Sequence, residues 1–91
     1  MYTKQIVVYN PTGLHARPAA QFVKCAIRFS SEITIKKAGS EEKAVNAKSM
    51  ILLLSQGFKQ GDSCEITAEG PDEQEAVDAL VELVQSGFGE T

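Results

Sequence analysis

The sequence predicts an α+β fold in which one four-stranded sheet is covered on a single face by three helices. Four segments have the β-branched content or the polar–apolar alternation of half-buried strands, and three others have the apolar spacing or the end signals of helices. Their order along the chain is β-α-β-β-α-β-α. Because each strand has one apolar side, we expect the helices to share one face of the sheet. A length of 91 residues suits one domain over residues 1–91.

The first strand and the first helix are separated by a turn. Residues 5–9 are mostly β-branched and apolar, and the Asn-Pro-Thr-Gly sequence at 10–13 predicts the end of the strand. Apolar residues then recur at spacings of three and four through residues 16–27. This pattern predicts an amphipathic helix with an apolar face at positions 16, 19, 20, 22, 23, 26 and 27.

The middle of the chain predicts a hairpin and a short helix. Residues 32–36 alternate polar and apolar side chains, residues 38–43 are polar, and residues 44–47 form a short returning strand. Ser49 precedes the apolar run 50–54, and Gly57 follows it. A serine before such a run and a glycine after it indicate a helix with Ser49 as its N-cap.

The last third predicts a strand and a long helix. Residues 63–69 alternate, with Cys64, Ile66 and Ala68 on one side. Residues 70–73 start a helix with acids at the positive end of its dipole, and its apolar stripe comprises Ala76, Val77, Leu80, Val81 and Val84. Ser86 and Gly87 end it. We expect the tail 87–91 to fray, with Phe88 either packed back or exposed.

The composition excludes several classes of function. Nine basic and twelve acidic residues give a net charge of −3, which disfavours binding to nucleic acid or anionic lipid through overall charge. One histidine excludes metal sites and catalytic groups that need two imidazoles. The 43% hydrophobic content is too high for a disordered chain. We therefore expect a folded protein with no metal and no cofactor.

The cysteines and the apolar runs indicate a cytoplasmic location. Cys25 and Cys64 lack Cys-x-x-Cys spacing, so neither a zinc site nor a redox pair is predicted. One disulfide is allowed by the count, but packed free thiols are the commoner arrangement. The first apolar run, 6–9, is too short for a secretory signal, and none approaches the roughly 18 residues of a membrane span.

The segment 12–20 carries the candidate chemistry. Pro18 has no N–H and a helical φ, so it fits a first helical turn and places His15 at or next to the N-cap. The backbone N–H groups of Ala16 and Arg17 are then unpaired, which makes the helix start an anion site. The guanidinium of Arg17 suits phosphate oxygens.

The same position affects the imidazole. Positive potential disfavours imidazolium, so we expect His15 to be neutral near pH 7 and able to accept a phosphoryl group as a phosphoramidate. The alternative is a capping or surface histidine without chemistry. The residues alone leave both interpretations open.

Gly13-Leu14-His15-Ala16-Arg17-Pro18-Ala19 resembles the active-site signature of HPr, the histidine-containing phosphocarrier family of the bacterial phosphoenolpyruvate-dependent sugar phosphotransferase system. The resemblance extends in order over essentially the whole chain, through residues 21–24, 31–34, 47–49, 60–61 and 68–70. It implies an open-faced β-sandwich with an antiparallel sheet. It also implies that His15 receives phosphate on Nδ1 from phospho-enzyme I and donates it to IIA domains of sugar permeases, with Arg17 stabilising the phosphoryl group. The chain shows no base–nucleophile pair, cofactor loop or metal cluster, so we expect a carrier and not an enzyme. We expect it to be a monomer.

Ser49 and the run after it form a second candidate region. By resemblance, Ser49 is a regulatory phosphorylation site, and its partners would be a serine kinase/phosphorylase and a transcriptional regulator. A short helix cannot bury five consecutive apolar residues, so we expect Ile51 and Leu54 to be exposed. Together with Ala20 of the first helix they form the predicted docking surface for partners.

Two further features leave alternatives open. The 39–43 segment is about three residues longer than the usual HPr pattern, which is cheap to close and matters for function only if it lies near His15. The alternative function is a regulatory module of the same fold. It would act through phospho-Ser49, or in a dedicated nitrogen or dihydroxyacetone phosphorelay instead of sugar uptake.

Overall fold

A computed structural model describes residues 1–89 and has the predicted order of elements. The strands are β1 (Tyr2–Val7), β2 (Glu32–Lys37), β3 (Val45–Asn46) and β4 (Ser63–Glu69). The helices are α1 (Ala16–Ala26), α2 (Met50–Ser55) and α3 (Glu73–Gln85), and a short 3-10 turn covers Gly87–Gly89.

The sheet is antiparallel throughout, with the strand order β1-β4-β2-β3. Strand β4 pairs with β1 from Tyr2↔Ala68 to Val7↔Ser63, and with β2 from Glu32↔Glu69 to Lys37↔Cys64. The predicted hairpin is present as two β2–β3 pairs. The four-stranded sheet covered by three helices is therefore confirmed.

The hydrophobic core lies between one face of the sheet and the helices. Alternation along β2 and β4 turns Ile33, Ile35, Cys64, Ile66 and Ala68 inwards, where all five are buried. The predicted stripe of α3 is buried too, and Phe22 is the largest fully buried side chain of α1. The other face carries polar residues such as Thr3 and Thr67, whose hydroxyls lie 2.9 Å apart. One face of the sheet is thus left open.

The structure corrects the bounds of β1 and the apolar face of α1. Strand β1 covers Tyr2–Val7 and not residues 5–9, because its register with β4 starts at Tyr2. In α1, positions 19, 22 and 26 are buried, whereas Ala16, Ala20 and Ile27 are exposed, so the apolar face is narrower than predicted. Ile27 follows the helix and is 58% exposed.

Residues 87–89 of the tail pack against the body of the protein. Phe88 is only 6% exposed and joins the hydrophobic core, so the fraying expected from residue 87 onwards is wrong for residues 87–89. Its φ of 56° lets the chain reverse after α3. Glu90 and Thr91 lie outside the described residues.

The longer connection between β2 and β3 lies at the same end of the sheet as the segment leading to His15. Lys37, the last residue of β2, pairs with Cys64, and Val7, the last residue of β1, pairs with the adjacent Ser63. Strands β1 and β2 therefore both finish at the end of the sheet where β4 begins. The order of the strands keeps β4 between the two segments.

Both cysteines within the described residues are free thiols. Burial raises the pKa of Cys64 to about 12 and also raises the pKa of the half-buried Cys25 thiol. Thiolates, the reactive form, are thus disfavoured at neutral pH. None of the helices in residues 1–89 has the length and apolar character needed to cross a membrane.

Asp72 fastens the start of α3 to the connection between α1 and β2. Its carboxylate accepts hydrogen bonds from the hydroxyl and the N–H of both Ser30 and Ser31. These bonds, the Ser31 hydroxyl first, lower the pKa of Asp72 to about 2. Gly70 allows the close approach, since a Cβ there would lie 2.6 Å from the Ser31 hydroxyl oxygen.

We expect Asp72→Asn to lower the urea midpoint at pH 7 and to lose this effect in acid. Because folding lowers the pKa of Asp72, its ionised form stabilises the protein above about pH 4, and the contribution disappears as the pH falls towards about 2. Glu75→Gln, which removes an exposed acid of the same helix, is the control. If the midpoints of the wild type and of Asp72→Asn differed by a constant amount from pH 7 to pH 2, this role would be contradicted.

Candidate functional site

His15 is the N-cap of α1, as predicted. Its backbone is extended (φ −138°, ψ 153°), and its side chain makes no capping hydrogen bond. The residue is exposed, and Pro18 lies buried in the first turn behind it. The imidazole is therefore available to a partner.

The first helical residue, Ala16, has an unusual backbone conformation. Its φ of 50° lies in the left-handed region, which costs an L-residue with a Cβ about 1–2 kcal/mol. The sequence carries no signal for it, because alanine is the best helix former and is not typical of this region. The chain thus enters α1 through a strained residue directly after His15.

The backbone N–H groups that we predict to bind an anion lie at this helix start. Among residues 1–89, the N–H groups of Ala16 and Arg17 donate to no acceptor outside the helix, and the first N–H groups of a helix have none within it. Arg17 is exposed and has no ion pair with a described residue. The guanidinium is therefore available for an added anion beside His15.

The segment before His15 rests on the chain that follows α2. The Leu14 N–H donates to the carbonyl oxygen of Phe58 at 3.1 Å. Gly13 has a φ of 66°, and a Cβ on it would lie 2.5 Å from that same oxygen. Glycine is thus required at position 13 by both the torsion angle and the space.

Ser49 is the N-cap of α2, and its hydroxyl oxygen accepts the Leu52 N–H at 3.2 Å. The neighbouring Lys48 donates from Nζ to the carbonyl oxygen of Phe29, just after α1, at 2.7 Å. The start of α2 is therefore held against the C-terminal end of α1. Phe58, which follows the C-terminal end of α2, contacts the segment before His15. An α1 of 11 residues is about 16 Å long, so the structure does not bring Ser49 and His15 together.

The predicted docking residues are exposed on α1 and α2, which are in contact with each other. Ile51 is 81% exposed and Leu54 is 37% exposed, while Leu53 is buried and Met50 partly so. Ala20 is exposed on α1, between the exposed cations Arg17 and Lys24. Sequence reasoning missed Leu52 and Ile27, which are also exposed. Ile27 could have been recognised because the buried positions 19, 22 and 26, with the partly buried Val23, complete a helical stripe without it.

The comparisons with known proteins show the family of the chain. The family model described as the PTS HPr component phosphorylation site matches residues 2–86. The chain belongs to the HPr family. It is 48% identical over 84 residues to the phosphocarrier protein HPr of Haemophilus influenzae, covering 92% of this chain and 95% of the relative.

Two further matches place the chain within this family. The HPr-like protein Crh of Halalkalibacterium halodurans is 48% identical over 85 residues, covering 93% of this chain and 98% of that protein. The crystal structure of HPr-C-His from Thermoanaerobacter tengcongensis superimposes with a TM-score of 0.93 at 48% identity, over 100% of this chain and 99% of that one. These matches establish the fold and show that the chain belongs to the family of the phosphocarrier component of the phosphotransferase system.

The candidate site is a surface and not an enclosed pocket. A groove of about 560 Å³ between α1 and α3 is lined by residues such as Gln21, Cys25 and Leu83, and includes neither His15 nor Arg17. Among the described residues no cluster of three or more His, Cys, Asp or Glu could hold a metal ion. An exposed histidine at a helix start suits transfer to another protein better than turnover of a small molecule.

We expect Gly13→Ala to destabilise the protein by at least about 1 kcal/mol more than Gly57→Ala. Both glycines have a similar positive φ, 66° and 63°, but only the Cβ at position 13 would meet a backbone atom within 4 Å. The pair therefore separates the steric contact with Phe58 from the torsional cost. Urea unfolding gives the comparison, and equal losses for both variants would show that the segment moves freely on Phe58.

Proposed function

We propose that this protein is a phosphoryl carrier in which His15 Nδ1 accepts a phosphoryl group from phospho-enzyme I and donates it to IIA domains of sugar permeases. The exposed position of His15 at the start of α1, beside Arg17 and two unpaired N–H groups, is the observation that carries this proposal. The Nδ1 lone pair attacks phosphorus, the bond to the donor breaks, and a phosphoramidate forms. The reverse sequence at an acceptor regenerates the free imidazole.

The helix start supplies electrostatic stabilisation to this transfer. The N–H groups of Ala16 and Arg17 and the guanidinium of Arg17 offer donors to phosphoryl oxygens that carry negative charge in the transition state and in the product. None of these groups has to leave a protein partner within residues 1–89 in order to do so. The site is therefore ready for the anion before the anion arrives.

Charge and apolar exposure support the choice of partners. Helix α1 carries Arg17 and Lys24 but no acid, although the whole protein has a net charge of −3. Ile51 and Leu54 of α2, with Ala20 of α1, offer apolar contact beside these cations. A partner with an apolar patch and an acidic rim matches this surface. We propose that the reaction takes place in the cytoplasm, where phosphoenolpyruvate is made. We also propose that the protein acts as a monomer.

Incubation with phosphoenolpyruvate and enzyme I should add one acid-labile phosphate, and His15→Ala should abolish it. Arg17→Ala should slow the transfer about a hundredfold while the melting temperature stays within about 2–4 °C, because Arg17 is exposed and stabilises only the phosphoryl group. Arg28→Ala, which removes an exposed cation just after the same helix, is the control. Phosphate on the His15→Ala variant would disprove the carrier site.

Ile51→Ser should raise the KM for enzyme I about tenfold with little change in kcat, since the side chain is 81% exposed and its loss removes docking contact only. Val7→Ser is the matched control, because Val7 is an exposed apolar residue of β1. Steady-state phosphorylation at varied carrier concentration provides both constants. If the two variants behaved alike, α2 would not be part of the docking surface.

A second function, regulation through phosphorylation of Ser49 by a serine kinase/phosphorylase, is favoured by the place of this residue at the start of α2. A phosphate there would gain from the helix dipole and add about two negative charges next to the exposed Ile51. One relative carries the name HPr-like protein Crh, so the fold also occurs in proteins that are named apart from the phosphocarriers. The alternative for this chain is a regulatory module that acts on a transcriptional regulator through phospho-Ser49. A dedicated nitrogen or dihydroxyacetone relay would use the same His15 with other partners.

Ser49→Asp should weaken phosphorylation by enzyme I at low salt, and added salt should reverse much of the effect, because the new charge repels an acidic partner. Ser49→Asn is the control, since asparagine also caps a helix but carries no charge. Both variants should unfold at similar urea concentrations. Equal rates for the two variants at low salt would remove the electrostatic basis of this regulation.

A further inference from the structure

Asn10 is a buried polar residue in the turn before His15. Within residues 1–89 the buried polar residues are Asn10 and Ser31, and Asn10 is only 1% exposed. Ser31 is explained by its bonds to Asp72. Burying an amide side chain costs free energy unless the amide is hydrogen-bonded, so the hydrogen bonds of Asn10 need an explanation of their own.

Asn10 is bonded to the backbone of Gly13 in two ways. Its side-chain Nδ2 donates to the Gly13 carbonyl oxygen at 2.9 Å, and its own carbonyl oxygen accepts the Gly13 N–H at 3.1 Å. The same Nδ2 also lies 3.4 Å from the Thr12 hydroxyl oxygen. Asn10 therefore fastens the turn that ends at Gly13.

The peptide group between Gly13 and Leu14 is held at both ends. Its carbonyl oxygen accepts the Asn10 amide at 2.9 Å, and its N–H donates to Phe58 at 3.1 Å. A peptide plane bonded on opposite sides cannot rotate without losing one bond. It stands directly before Leu14 and His15, so its orientation sets the direction in which the chain reaches the N-cap and the strained Ala16.

We propose that Asn10 is a positioning residue for phosphoryl transfer: its amide fixes the Gly13–Leu14 peptide and so holds His15 at the start of α1. The role rests on the proposed acceptor function of His15. Asn10 touches no reacting atom and acts through the backbone. A side chain shifted by about 1 Å can lose a large part of the transfer rate, so a single buried hydrogen bond is sufficient for the effect.

The experiment compares three variants with the wild type. Asn10→Ala removes the amide donor, and Asn10→Asp keeps the shape but faces the Gly13 carbonyl with an acceptor at neutral pH. Val77→Ala is the control for stability, because Val77 is fully buried in α3 and its truncation costs core packing alone. For each protein, the rate of phosphorylation from phosphoenolpyruvate and enzyme I, the urea midpoint and the hydrogen exchange of the Leu14 amide are measured.

We expect transfer to slow about tenfold in Asn10→Ala and further in Asn10→Asp, while Val77→Ala transfers at the wild-type rate despite an equal or lower midpoint. The Leu14 amide should exchange faster in both Asn10 variants than in Val77→Ala at matched stability, because its peptide has lost one of its two bonds. If Asn10 had only a structural role, its substitution would lower the urea midpoint. It would then neither slow transfer nor speed the exchange of the Leu14 amide beyond the values for Val77→Ala at matched stability.

Two results would overturn the proposal, and they are distinguishable. If the wild type accepts phosphate on His15 and Asn10→Ala accepts it at an unchanged rate, the positioning role is wrong and the carrier function stands. If the wild type takes no phosphate on His15, the carrier function fails and the positioning role fails with it. Faster Leu14 exchange together with slower transfer supports both.

Discussion

The pairing of β4 with two strands at once is the constraint on which the rest of the structure depends. β4 lies between β1 and β2, so both neighbours take their register from it. β1 covers Tyr2–Val7 and β4 starts at Ser63, so the β1–β4 pair joins residues that are distant in the chain. On the inner face of the sheet, α3 follows β4 directly and contacts β1, β4 and β2.

The same strand also positions the candidate site. In the turn that leads into β4, the backbone carbonyl oxygen of Asp62 accepts a hydrogen bond from the Val8 N–H. The Gly61 N–H of the same turn donates to the Val8 carbonyl oxygen at 2.6 Å. Phe58, a few residues earlier in the chain, bonds to Leu14. The chain before His15 is thus held against the chain before β4, so correct formation of the sheet brings the candidate phosphoryl acceptor to its place.

The site combines a rigid support with exposed reacting groups. Asn10 and Gly13 are buried, whereas His15 and Arg17 are exposed a few residues further on. The rigid part limits the orientations of the imidazole, and the exposed part leaves the imidazole accessible from solvent. Strain at Ala16, with a φ of 50°, is tolerated because bonds on the preceding turn and burial of Pro18 hold both sides of the residue.

Local pattern alone was sufficient for most of the elements and for His15. The alternation in β2 and β4, the serine before α2 and the spacing in α3 reflect physics that acts within one element, so they could be predicted from the chain. Pro18 placed the N-cap at His15 for the same reason. The orphan N–H groups of Ala16 and Arg17 followed from the helix start.

What only the tertiary structure decided involves contacts between distant segments. The strand order, the left-handed Ala16, the burial of Phe88 and the two bonds on the Gly13–Leu14 peptide depend on which segments meet, and no local pattern encodes that meeting. The sequence determined by itself which residue is the candidate acceptor and which element presents it. The packing of residues 10–14 against Phe58 decided how that acceptor is held, because a hydrogen bond between segments so far apart in the chain exists only once the chain has folded.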